Sequence, residues 1–263
     1  MGIALSPTSA IAGVLRDGRE PTTKAEFDAL MSRFVDSRVG SFTCIRTLDS
    51  ADGPFYYERS EMRRSIAEDR SGMALRLGIN VGQIFLRADM CAPLSGAVVD
   101  LWLADGAGQY SNVGGDLQNE NTVGKTFLRG HQITDANGNV EFDVVVPGWE
   151  LVGAPPPINV VRRPPHIHVK VFHEHKVLTT QLYFADQFMD QLYAEVEPYK
   201  ANESMTCPGV EVSQRRILNG GDPLFELDHS QPLSPVREGS RVAAIAKIGV
   251  VTLGSQGFAP YLR

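Results

Sequence analysis

Only three cysteines occur in the 263-residue chain, Cys44, Cys91 and Cys207, too few and too scattered for a disulfide framework or a zinc knuckle. Their odd number argues against a fully paired secreted set, so all three are read as reduced. No run of about 18 uncharged apolar residues is present, and the short apolar stretch near the N-terminus has no basic segment before it. Neither a membrane span nor a signal peptide is therefore expected, and the expected location is the cytoplasm. Long blocks of one charge sign are missing too. The net charge of −6 comes from interspersed acids and bases, which disfavours a nucleic-acid surface. What remains is a globular chain, 43% hydrophobic, with ample material for a core and a small molecule as its expected partner.

Residues 1–22 are small, polar and proline-containing, an arm in which little can be read. Thr23 and Glu26 form a capping-box pattern, and Phe27, Leu30, Met31, Phe34 and Val35 follow at helical spacing, which predicts an amphipathic helix to about Ser37. Its apolar stripe packs either on its own domain or against a second subunit, as in a homodimer. Residues 1–40 are thus read as arm and helix, and residues 41–263 as one β domain. In the latter, Leu75, Leu77, Ile79 and Val81 alternate with Arg76, Gly78, Asn80 and Gly82, the period of a half-buried strand. Segments 96–103, 140–146, 166–172, 177–184 and 242–252 also read as strands, with a tight turn at Asn137-Gly138. Met189, Leu192, Tyr193 and Val196 predict one helical interruption over Phe188–Val196. The expected fold is mainly β, an antiparallel β-sandwich with an N-terminal amphipathic helix.

One stretch, PGWELVGAPPPINVVRRPPHIH from Pro147 to His168, ends in His-x-His on a strand. Alternate side chains leave a strand on the same face, so His166 and His168 point together while Ile167 enters the opposite layer. Such a pair suits a metal, or else sits on a solvent face. A second pair, His173 and His175, falls at the strand end and the following turn and is a weak rival.

The segments CIRTLDSADGPFYY, CAPLSGAVVDLWLADGAGQYS, TFLRGHQITDANGNVEFDVVVPGW, RPPHIHVKV and TTQLYF occur in that order over roughly residues 44–185. Together they resemble the intradiol ring-cleavage dioxygenases. The resemblance implies a β-sandwich with a mononuclear ferric site, held by two tyrosinates and two histidines, that opens a catechol between its two hydroxylated carbons using dioxygen. Carried over residue by residue, it implies metal ligation by Tyr110, His166 and His168. Arg163 takes the place of an arginine that lies against the substrate ring, Gln181 that of a glutamine on the next strand. Gly53, Pro54 and Tyr57 fall in a segment that walls the substrate pocket.

The departure is at position 150. There the family places its second tyrosine, and this chain has Glu150, with no tyrosine between Tyr110 and His168 to replace it. A displaced phenolate, with a pKa about 10, is a strong base, whereas a carboxylate near 4.3 is a weak one unless burial raises it. Glu150 can be read three ways: as a metal ligand, as an acid or base in the pocket, or as a solvent-facing residue of a remodelled loop. The proline-rich insert after it could wall a pocket for a larger or more apolar ligand. Two functions are consistent with these residues. One is a non-haem iron dioxygenase acting on a phenolic, catechol-like or enolic molecule with altered ligation. The iron is Fe3+ by resemblance, with Fe2+ or no metal left open by Glu150. The other is a repurposed relative, a cyclase or binding protein for a biosynthetic intermediate. In either case turnover of simple catechols is expected to be absent or very slow.

Overall fold

Apolar residues at every second position give each strand one face to bury, and two sheets meet on those faces. The computed structural model describes residues 45–58, 60–85, 90–154, 160–228, 232–238 and 240–252. The expected helix over residues 23–37, and any subunit contact through it, lie outside the described residues.

In chain order the strands are β1 (Ala74–Phe85), β2 (Met90–Pro93), β3 (Val98–Leu103), β4 (Arg129–Ile133), β5 (Asn139–Val145), β6 (Glu150–Gly153), β7 (Val160–Arg163), β8 (His166–His173) and β9 (Lys176–Tyr183). Helix α1 (Asp186–Glu195) follows, then β10 (Ser204–Met205), β11 (Gln214–Arg215), helix α2 (Pro223–Asp228), β12 (Val236–Glu238) and β13 (Arg241–Thr252). One sheet runs β12-β13-β1, with β5 and β2 sharing the other edge of β1; the second runs β4-β3-β8-β9. Among the described strands all pairings are antiparallel except β1 with β13, which run parallel along their whole length. Strands far apart in sequence can pair either way, and the expected antiparallel sandwich therefore holds with this one exception.

The core lies between the sheets. Leu75, Leu77, Ile79 and Val81 of β1, with Val242, Ala244, Ala246, Ile248 and Val250 of β13, face Val99, Leu101 and Leu103 of β3 and Ile167, Val169 and Val171 of β8 in one buried cluster. Helix α1 buries Met189, Leu192 and Tyr193, three of the four residues whose spacing predicted it, and begins two residues earlier than expected.

Cys91, in β2, is disulfide-bonded, whereas Cys207 is free and buried. This corrects the reading of all three cysteines as reduced. Scattered spacing argues against a framework but not against a single bridge, because pairing depends on separation in the fold and not along the chain. Disulfides persist in oxidising compartments, so cysteine usage gives the cytoplasmic expectation no support.

The loop after β3 is seated by one close backbone approach. Gly108, at φ +78°, lies against the Trp149 carbonyl, and a Cβ there would collide with it. Gly108→Ala is expected to destabilise the fold by at least about 1–3 kcal/mol, from the left-handed conformation and the collision together. An unchanged melting temperature would show that the loop yields freely.

Candidate metal centre

The pleat that sends Ile167 and Val169 into the core sends His166, His168 and Lys170 to the outer face of the β3–β8–β9 sheet. Cross-strand pairing puts Trp102 opposite His168 on one side and Gln181 opposite it on the other, with Tyr183 beside His166. An outer face would ordinarily be wet, yet His166 is fully buried and His168 is 3% exposed. Three covering segments explain this.

The first is the stretch before β1. Asp52 pairs with Lys170 at 2.7 Å and accepts from the Thr179 hydroxyl, and Ala51 O accepts from Gln181 Nε2 at 3.1 Å. These contacts press Gly53 onto the His168 ring, where a Cβ would lie 3.3 Å from Cε1. Phe55 packs on the Tyr110 ring and Tyr56 on Trp102, while Pro54 and Tyr57 are exposed. The second cover is the loop carrying Tyr110. Gln118 grips the Tyr110 backbone from both sides, accepting from its N–H and donating to its carbonyl at 2.9 Å each. Arg129 ties that loop to the first cover, donating to Ser111 and to the Phe55 carbonyl. The third is the β6–β7 hairpin, in which Glu150 lies directly opposite Arg163.

Four donor groups converge. The Tyr110 hydroxyl donates to Glu150 Oε1, which is 3.4 Å from His166 Nε2, and His166 Nε2 is 3.0 Å from His168 Nε2. Atoms of Glu150, His166 and His168 lie within 4.8 Å of one another. Glu150 is 4% exposed, so the solvent-facing reading of it is ruled out.

The protonation states derive from burial. Desolvation, with Arg163 nearby, holds both histidines well below their ordinary pKa, so both are neutral and the close His166–Glu150 approach is not an ion pair. His166 Nδ1 is 2.8 Å from the Pro164 carbonyl, an acceptor only, so Nδ1 carries the proton and Nε2 presents its lone pair. His168 has no such anchor. Its Nδ1 is buried without a hydrogen-bond partner among the described residues, and its ring is held by stacking on Trp102 at 4.7 Å and 8°. Burial and the Glu150 charge push the Tyr110 phenol well above its usual value. Burial also pushes Glu150 up to about 7, against the opposing charge of Arg163.

These residues fit a metal ion. Two nitrogens each about 2.1 Å from one ion subtend roughly 90° when 3.0 Å apart, a normal angle between neighbouring ligands. Two neutral imidazoles, a carboxylate and a phenol form a mixed N/O set suited to iron, and the proton held between Tyr110 and Glu150 would leave on binding.

Residues 51–198, more than half of the chain, match the sequence profile of the Dioxygenase family. The chain belongs to the intradiol ring-cleavage dioxygenase family. A curated relative, chlorocatechol 1,2-dioxygenase of Rhodococcus opacus, is 27% identical over 161 residues, 55% of this chain and 59% of that protein. The chain thus matches about three-fifths of that relative's length. Among solved structures, an intradiol ring-cleavage dioxygenase from Tetranychus urticae superposes with a TM-score of 0.59 at 24% identity, covering 78% of this chain and 94% of the other. The 3-chlorocatechol 1,2-dioxygenase of Rhodococcus opacus 1CP gives 0.52 at 21% identity over 94% and 95%. Both show the shared fold.

Of the residues singled out in the sequence, Tyr110, Glu150, Arg163, His166, His168 and Gln181 form one contiguous cluster, with Gly53 against it. Gln181 is engaged at both ends of its amide: its Oε1 accepts from Arg163 and Tyr183, and its Nε2 donates to the Ala51 carbonyl. Trp102, Tyr183 and Asp222 were missed. Tyr183 was legible, two residues from Gln181 and so on the same face. Trp102 needed the strand register, and Asp222 carried no signal.

A raised carboxyl pKa makes metal-free stability depend on pH. Glu150 keeps its proton to about pH 7 in the folded chain but releases it near 4.5 when unfolded. Its contribution is therefore full below about pH 4.5 and is lost as the pH rises to about 7, by roughly 3 kcal/mol at about 1.4 kcal/mol per unit. Glu150→Gln stays neutral and lacks this loss. Urea denaturation of chelator-treated wild type and variant is expected to show a difference that grows by that amount across the interval; a constant difference would contradict a buried, neutral Glu150.

Proposed function

We propose that the protein is a non-haem iron dioxygenase for a phenolic, catechol-like or enolic small molecule, with iron held by His166, His168, Tyr110 and Glu150. The observation that carries this is the convergence of the Nε2 atoms of two neutral imidazoles with a carboxyl and a phenol at one buried point. Iron bound there would supply the coupling of dioxygen to the ring that the family performs. The rest falls to the chain. Glu150 is placed to take a proton from a substrate hydroxyl when it is not itself holding the metal. In the metal-free chain burial raises this carboxyl to about 7, the condition under which a carboxylate at position 150 was expected to serve as a base, though it stays well below a phenol near 10. What is not restored is the second phenolate's preference for the ferric state, so slow turnover of simple catechols remains the expectation.

A second reading, a binding protein or cyclase without oxygen chemistry, is favoured by one contact. Arg163 Nη1 lies 2.9 Å from His166 Nε2 and donates to the lone pair a metal would need. The proposed partners are a small-molecule substrate and, through residues 23–37, a second copy of the chain. No described helix is long and apolar enough to cross a membrane. The disulfide at Cys91 favours an oxidising compartment over the cytoplasm.

Metal analysis and oxygen uptake separate the two readings. Wild type is expected to hold about one iron per chain, with visible absorption that Tyr110→Phe abolishes and that His166→Ala or His168→Ala removes along with the metal. Oxygen uptake with catechol is expected to rise at least tenfold in Glu150→Tyr. Colourless, iron-free wild type that binds catechols without consuming oxygen would establish the second reading.

A further inference from the structure

Asp222 lies outside the stretch matched by the family profile and is 3% exposed, yet it meets the centre of the site. Its place is fixed at the start of α2, where Oδ1 accepts from the Leu224 N–H at 2.9 Å and its carbonyl accepts from Phe225 N–H. Oδ2 then accepts from Arg163 Nε at 2.9 Å and from Nη2 at 2.7 Å.

The donor inventory of Arg163 is what matters. A guanidinium has five N–H groups and grips a carboxylate through two parallel ones on a single edge. The Nε/Nη2 edge is taken by Asp222. The Nη1/Nη2 edge needs the remaining Nη2 hydrogen, which is directed to Gln181 Oε1 at 2.5 Å and Tyr183 Oη at 2.6 Å. The third side carries Cδ and has no pair of donors. Only Nη1 faces the histidines; one of its two hydrogens goes to His166 Nε2, and the other meets no described acceptor, with or without a metal.

We propose that Asp222 is a positioning residue that holds Arg163 edge-on and so restricts the site to ligands offering it a single phenolic or enolic oxygen, excluding ring carboxylates. The substrate class rests on the function proposed above; the blocked edge does not. Arg163 cannot swing to form a two-point clamp while Asp222, Gln181 and Tyr183 occupy it. A catechol or enol without a carboxylate on its ring is the substrate class that fits.

The test uses metal-free full-length protein and two probes, phenol and benzoate, with dissociation constants measured by calorimetry. Wild type is expected to bind phenol at least tenfold more tightly than benzoate. In Asp222→Ala the Nε/Nη2 edge opens, and benzoate affinity is expected to rise at least tenfold while phenol stays within threefold. Asp222→Asn still accepts both N–H groups and should gain at least threefold less than the alanine variant. An unchanged benzoate-to-phenol ratio in Asp222→Ala, or an equal gain in Asp222→Asn, overturns the proposal. If the alanine variant does not fold, Asp222→Ser is read the same way; if neither folds, Asp222 is a structural residue and the proposal falls. Because no iron is present, a protein that never takes up metal would refute the dioxygenase reading without altering this result.

Discussion

Two imidazole nitrogens 3.0 Å apart beside a buried guanidinium are the arrangement on which the rest of the site depends. Two neutral rings aimed at one point bring their lone pairs together, which is unfavourable unless a proton or cation lies between them. Burial and Arg163 keep both rings neutral, so the point they share is filled either by a ring proton that His168 donates to His166 or by a cation. In the metal-free chain Arg163 also donates to His166. A buried guanidinium is itself costly, and Asp222 holds it charged against desolvation, joined by Glu150 once that carboxyl ionises near pH 7. The carboxyl at position 150 is thus tied to Arg163 and to the histidines at once.

The sheet-borne half of this arrangement was legible in the sequence, and the reason is the pleat. Once 166–172 reads as a strand, the common face of His166 and His168 is settled, and so is the burial of Ile167 and Val169. The strands that were read around the core match to within three residues at either end, because Leu75, Leu77, Ile79 and Val81 alternate cleanly. The parallel pairing of β1 with β13 was not legible, since periodicity carries no strand direction. Short strands such as β6 and β7 lack enough residues to show a period, so the facing of Glu150 and Arg163 could come only from the fold. Composition misled on the cysteines, where a count of three hid one bridge. Nothing near Asp222 in the chain marks it as a partner of Arg163, fifty-nine residues away.

The division between what was legible and what was not reflects how each group is held. His166, His168, Trp102 and Gln181 sit on hydrogen-bonded strands. Tyr110 sits on a loop, and its precision has to come from side chains. Gln118 supplies a backbone-like pair of hydrogen bonds, Thr122 adds one to the same carbonyl at 2.5 Å, and Asp105 caps the turn before it by accepting from Ala107 and Gln109. Arg70 in turn pairs with Asp105 and Glu120. A loop with this many internal acceptors keeps its phenol in place without regular structure.

That distinction bears on what Glu150 can do. The residue leaves from the first position of β6, in a hairpin anchored at Gly153 to the Tyr110 loop through the Leu117 carbonyl and at Trp149 through hydrogen bonds to Tyr193 and to the Asn202 carbonyl. Position 150 is therefore aimed at the site by its neighbours whichever side chain it carries. A glutamate is shorter than a tyrosine, but its carboxyl already touches the Tyr110 hydroxyl and lies 3.4 Å from His166 Nε2. Reach is thus no obstacle to ligation. The consequence of the substitution lies in charge and proton affinity. A buried carboxyl near 7 switches protonation at working pH, where a buried phenol would stay protonated until a metal drove the proton off. On the function proposed above, the two strand-borne histidines would thus work beside a carboxyl whose proton affinity is set by burial.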